Sequence, residues 1–88
     1  MIFTKYLRPN GVKQRVETKR PPEIEAMASA LSAKGVKFEI EVLMNGLVSL
    51  TAEMDGELCS LAHEISPNGP EVCEAVDRLV RTTAERLS

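Results

Sequence analysis

Large rings are scarce in this sequence: two Phe, one Tyr and no Trp in 88 residues. A core must therefore be assembled mainly from Leu, Val, Ile, Met and Ala, and few platforms exist on which nucleobases stack. No apolar run approaches the ~20 residues that a membrane-spanning helix needs. The opening Met1-Ile2-Phe3-Thr4-Lys5-Tyr6 also lacks the basic-then-apolar layout of a secretory leader. These absences predict a cytoplasmic protein without membrane attachment. Cysteine is limited to Cys59 and Cys73, with no CxxC spacing; in a reducing compartment such a pair reads as buried thiols acting as small apolar side chains. Neither GxGxxG nor a phosphate-binding GxxxxGK string occurs.

Histidine occurs once, as His63, so no Ser or Cys nucleophile finds a base and an orienting acid in any repeated pattern. A metal shared by Cys59 and His63 is disfavoured, because residues four apart on a strand stand about 13 Å from each other. The expectation is a non-enzymatic chain with no cofactor, no metal and no evident small-molecule substrate.

What is present suits a single folded domain over residues 1–88. Hydrophobic residues make up 43% and charged residues 27%, inside the globular range. The net charge of -2 conceals a partition. Residues 1–37 carry eight Lys or Arg against three Glu, whereas the remainder carries three Arg against ten acids. Either the two parts face each other in the fold or the surface has two poles.

Turn chemistry divides the chain. Arg8-Pro9-Asn10-Gly11 closes a three-residue hairpin loop between strands over Ile2 to Leu7 and Val12 to Thr18. This basic hairpin occupies residues 1–20. Pro21 and Pro22 end the ladder and open a helix from Pro22 to Lys34, with Glu23 and Glu25 at its positive end and Gly35 as its stop. Phe38, Ile40 and Val42 then alternate with Glu39 and Glu41, as Val48, Leu50 and Ala52 do with Ser49 and Thr51. A bulged Met44-Asn45-Gly46 loop keeps those apolar sets on one face, with Val42 against Val48 and Phe38 against Ala52. A two-residue Asp55-Gly56 turn leads into a strand over Glu57 to Ile65, expected to place Cys59, Leu61, His63 and Ile65 on the core side. After Ser66-Pro67-Asn68-Gly69, the stripe Val72, Val76, Leu79, Val80, Ala84 and Leu87 makes the last helix. The predicted fold class is α+β, in the order ββαβββα, an antiparallel sheet with two helices packed on one face. Residues 22–87 form its αβββα core.

Two surfaces are candidates for function. The polar sheet face carries Glu39, Glu41, Ser49 and Thr51, suited to a protein partner or to a homodimer. The hairpin and its exit carry Lys5, Lys13, Arg15, Lys19 and Arg20, suited to nucleic-acid phosphates through counterion release. In the expected register Lys5, Lys13 and Arg15 share one face near Phe3.

From Pro22 to Leu87 the order αβββα resembles the double-stranded-RNA-binding domain in topology. That family grips phosphates with lysines at the start of its last helix, where this chain has Asn68-Gly69-Pro70-Glu71. No binding residue carries over. The strings Phe38-Glu39-Ile40-Glu41-Val42-Leu43 and Asn68-Gly69-Pro70-Glu71-Val72, followed by Ala75-Val76-Asp77-Arg78-Leu79-Val80, are similar to small uncharacterised proteins of bacteriophages and proteobacteria. That resemblance implies a phage accessory protein that acts by binding a host or viral protein. The function expected is accordingly a protein-interaction or regulatory module, with a nucleic-acid-binding domain as the alternative.

Overall fold

The computed structural model describes residues 1–7, 11–43, 47–64 and 70–88. Seven elements follow one another: β1 (Ile2–Leu7), β2 (Val12–Glu17), α1 (Pro22–Ala33), β3 (Lys37–Val42), β4 (Val48–Met54), β5 (Glu57–Glu64) and α2 (Pro70–Arg86). The class is α+β, as the sequence predicts. Loop geometries expected at Pro9-Asn10, at Met44-Asn45-Gly46 and over 65–69 lie outside the described residues.

All five strands join one sheet in the order β2-β1-β3-β4-β5. The expected all-antiparallel arrangement is corrected at one seam, since β1 runs parallel to β3. Side-chain chemistry explains the placement. β1 carries Phe3, which is fully buried, whereas β2 presents Lys13, Gln14 and Arg15, all exposed. A charged strand belongs at a solvated edge and an aromatic one inside, so the hairpin docks by β1.

The β3–β4 register is the one that the alternation demands, with Phe38 opposite Ala52, Ile40 opposite Leu50 and Val42 opposite Val48. Both helices cover the face bearing these residues. Ile24, Ala28 and Leu31 from α1 and Ala75, Val76, Leu79 and Val80 from α2 join Phe3, Phe38 and Leu50 in one cluster. Phe3 and Phe38 meet edge to face across the parallel seam, with centroids 6.1 Å apart and planes at 64°. Such a pair contributes about 0.5–1.5 kcal/mol beyond its buried area.

α1 ends where Gly35 allows. At φ +101° this residue takes a conformation that side chains resist. Its N–H donates to the Ser32 carbonyl and the Val36 N–H to that of Leu31, both at 3.0 Å. The last carbonyls are thereby satisfied, while Val36 enters the core beside Leu31. At the other end Glu25 folds back. Its carboxylate accepts from the Met1 ammonium at 2.8 Å and 3.0 Å and from the Arg20 backbone N–H at 2.9 Å. Those bonds, first to the ammonium and then to the N–H, hold the Glu25 carboxyl below the usual carboxylate range.

Among the described residues no helix is long and apolar enough to cross a membrane.

Candidate functional site: the uncovered sheet face

With both helices on one side, the opposite face of the sheet is left bare. Its composition follows from register. Tyr6 pairs with Lys13 on β2 and with Glu41 on β3, Glu41 with Ser49 on β4, and Ser49 with His63 on β5. One continuous row therefore reads Lys13, Tyr6, Glu41, Ser49, His63. The next row, by the same pairings, is Arg15, Thr4, Glu39, Thr51, Leu61. Beyond it Ile2 pairs with Glu17 and Lys37 with Glu53. Continuing the β1–β3 register brings Lys37 beside Ile2, and the two line one shallow hollow together with Thr4, Lys13 and Arg15.

The structure thus gathers Glu39, Glu41, Ser49 and Thr51 on a single surface, as the alternation implies. It also adds Lys13 and Arg15 to that same surface, which the expected hairpin register does not. Leu7 pairs with Val12, in place of Arg8 with Val12, so Lys5 stands opposite Gln14 and Arg15 opposite Thr4. Lys5 consequently shares the face of Phe3, and Lys13 and Arg15 take the other. The expectation of all three cations together near Phe3 is corrected. The physical reason is apolar matching, since this register sets Phe3 against Val16.

The remaining two cations part company. Lys19 is exposed in the connection to α1. Arg20 instead clasps Asp77 of α2, Nε to Oδ1 at 2.8 Å and Nη2 to Oδ2 at 2.7 Å, with both side chains mostly shielded. The hydrogen bonds to Asp77 raise the guanidinium pKa further above its ordinary value. Arg20 is a clamp between the basic and acidic parts of the chain.

The last strand departs most from expectation. Asp55 and Gly56, at φ +55° and +80°, form the two-residue turn, and Met54 pairs with Glu57 as predicted. The register then slips: Glu53 opposes Leu58, but Ala52 opposes Ser60, so Cys59 is an extra residue in a β-bulge. The core-facing set expected, with Cys59 opposite Ala52 and Leu61 opposite Leu50, is replaced. Ser60 is buried opposite Ala52, and Ala62 lies opposite Leu50. Leu61 and His63 turn to the bare face and are exposed, while Cys59 packs partly against the core.

A buried hydroxyl needs a partner, and α2 provides one. Thr83 Oγ1, fully buried, lies 2.6 Å from the Leu79 carbonyl and 3.0 Å from Ser60 Oγ. A single proton serves only one acceptor, so Thr83 donates to the carbonyl and Ser60 donates to Thr83. Arg86 completes the strand's tether to α2 by donating to the Cys59 carbonyl.

Three large apolar side chains are exposed among the described residues: Ile2 at 47%, Leu58 at 58% and Leu61 at 50%. Register places all three on the bare face. Sequence reasoning missed Leu58 and Leu61 because they stand three apart, a spacing that puts residues on opposite faces of a regular strand; the bulge reunites them. Comparison with known proteins finds no matching family model, no curated relative and no solved structure of similar fold.

Proposed function

We propose that this chain is a non-enzymatic docking module that binds protein through the bare face of its sheet. The observation that carries this reading is the convergence of Ile2, Leu58 and Leu61 on the one face that no helix covers. Scattered exposed apolar residues are ordinary, but their segregation to one uncovered surface marks an interaction site. Polar groups fill the space between them, with Glu39, Glu41, Ser49 and Thr51 in the middle strands. That mixture suits a protein interface, where a few apolar anchors sit among polar contacts.

Nucleic-acid binding is the weaker reading. A polyanion lying along Lys13 and Arg15 meets Glu39 and Glu41 two strands away, on the same surface, and Lys5 and Arg20 point elsewhere.

The test places a photo-crosslinking residue at Thr51, and separately at Ala30 on the exposed side of α1, in a bacterial lysate. A nuclease-resistant protein adduct, either with another protein or with a second copy, is expected from position 51 and not from position 30. Adducts from position 30 alone overturn the reading. So does recovery of nucleic acid that nuclease and the Lys13→Glu, Arg15→Glu double variant both abolish.

A further inference from the structure

We infer that the occupant of the β2-β1-β3 part of the bare face is a second copy of this chain, related by a two-fold axis that runs along β1 and leaving Leu58 and Leu61 on β5 outside the contact. The inference rests on the docking reading above and names its partner. On either side of β1, each of three rows carries opposite charges. Lys13 and Glu41 flank Tyr6, Arg15 and Glu39 flank Thr4, and Glu17 and Lys37 flank Ile2. A two-fold axis parallel to β1 exchanges the two flanks when one face is laid on the other. Lys13 then meets Glu41 of the second copy, Arg15 meets Glu39, and Glu17 meets Lys37. Every row matches, and symmetry doubles the three contacts to six.

Two other placements of the axis fail on the same charges. Turned across the strands at the middle row, it stacks Arg15 on Arg15 and Glu39 on Glu39. Moved over β3, it stacks Glu39 and Glu41 on their own copies. Only the axis along β1 also brings the neutral stripe Ile2, Thr4 and Tyr6 onto itself, with the apolar Ile2 at the contact.

The cations are available for this use. Among the described residues Lys13, Arg15 and Lys37 have no ion-pair partner. Lys13 already leans over β1, its ammonium 5.5 Å from the Tyr6 ring centroid. The contact is small. Three strands of six residues cover about 20 Å by about 14 Å, a footprint of roughly 600 Å² over two copies, which is the size of a weak, transient contact. The dimer should be weak and salt-sensitive, with a Kd in the micromolar range.

Sedimentation equilibrium of the full chain at low and high salt tests this, with Arg15→Glu and Glu39→Arg as separate variants and as a double variant. The expected result is a dimer that weakens at least about tenfold between low and high salt. Each single reversal should abolish it. Mixing the two single variants should restore a heterodimer, since Glu at 15 of one chain meets Arg at 39 of the other while the unchanged Glu39 of the first meets the unchanged Arg15 of the second, and the double variant should restore the homodimer. Far-UV circular dichroism checks folding, and Glu17→Lys with Lys37→Glu repeats the design in a second row. A chain that stays monomeric at about millimolar concentration and low salt overturns the inference. A dimer indifferent to the reversals overturns it as well. If the chain is monomeric yet position 51 crosslinks to another protein, self-docking falls while the docking reading stands; if the chain is monomeric and position 51 crosslinks to nothing, both fall.

Discussion

At the scale of single residues, the buried hydroxyl pair carries more consequence than its size suggests. Thr83→Val keeps the shape of the side chain but leaves the Ser60 hydroxyl without its acceptor. A loss of about 1–3 kcal/mol is expected in urea unfolding. Adding Ser60→Ala should recover most of it, because removing both partners leaves nothing unsatisfied. A double variant no more stable than Thr83→Val alone would show that the pair is not coupled. Glu25 gives a pH signature. Its carboxyl titrates lower in the folded chain than in the unfolded one, so its contribution is complete above the usual carboxylate range and is lost as pH falls through the lowered value. Glu25→Gln should be less stable than the parent chain at neutral pH, and the two stabilities should converge in acid. Thermal unfolding followed from pH 7 to about pH 3 reads this directly.

Among the elements, legibility tracked the contrast between alternate side chains. β3 and β4 were readable to the residue, because Phe38, Ile40 and Val42 stand against Glu39 and Glu41 and leave no second register. α1 was nearly as plain, starting at Pro22 as expected and ending at Ala33, one residue before the expected Lys34, which caps it. β5 was not, because Leu58, Cys59, Leu61 and Ala62 offer apolar residues to both faces, so nothing local favours one phase. A hint did exist one helix away: Thr83 falls within the apolar stripe of α2, and its hydroxyl, satisfied by the Leu79 carbonyl, still offers a buried acceptor that a polar neighbour such as Ser60 can use. In the first hairpin, matching Phe3 with Val16 was the better guide than the turn residues of the loop. The bulge makes its own prediction. Deleting Cys59 removes only the extra residue and leaves Glu53–Leu58 and Ala52–Ser60 as neighbouring pairs. The chain should stay folded with a modest loss of stability, whereas deleting Leu61 reverses the faces of the residues after it and should unfold the strand. Circular dichroism with urea titration separates the two; equal losses would mean that the bulge does not set the register.

Over the whole molecule, the partition of charge along the chain becomes a pattern within one surface. Basic β2 and acidic β3 lie on either side of β1, while Arg20 and Asp77 join the hairpin's exit to the last helix. The sequence pointed to the polar residues of the bare face, yet their union with Lys13 and Arg15 depended on where the hairpin docks. That docking rests on a contact between Thr4 and Glu39, thirty-five positions apart, which no local pattern reports. The parallel seam also sets a folding order. The hairpin β1–β2 and the meander β3–β4–β5 close over short loops, but the seam between them must wait for a long loop to close. Stopped-flow kinetics should show it: Phe3→Leu at the seam should chiefly speed unfolding, and Leu50→Ala within the meander should chiefly slow folding. β1 leaves the ribosome before β3, but it is the last to find its inner neighbour. Until then the growing chain exposes Phe3 on one unpaired edge and waits for β3 to supply the other.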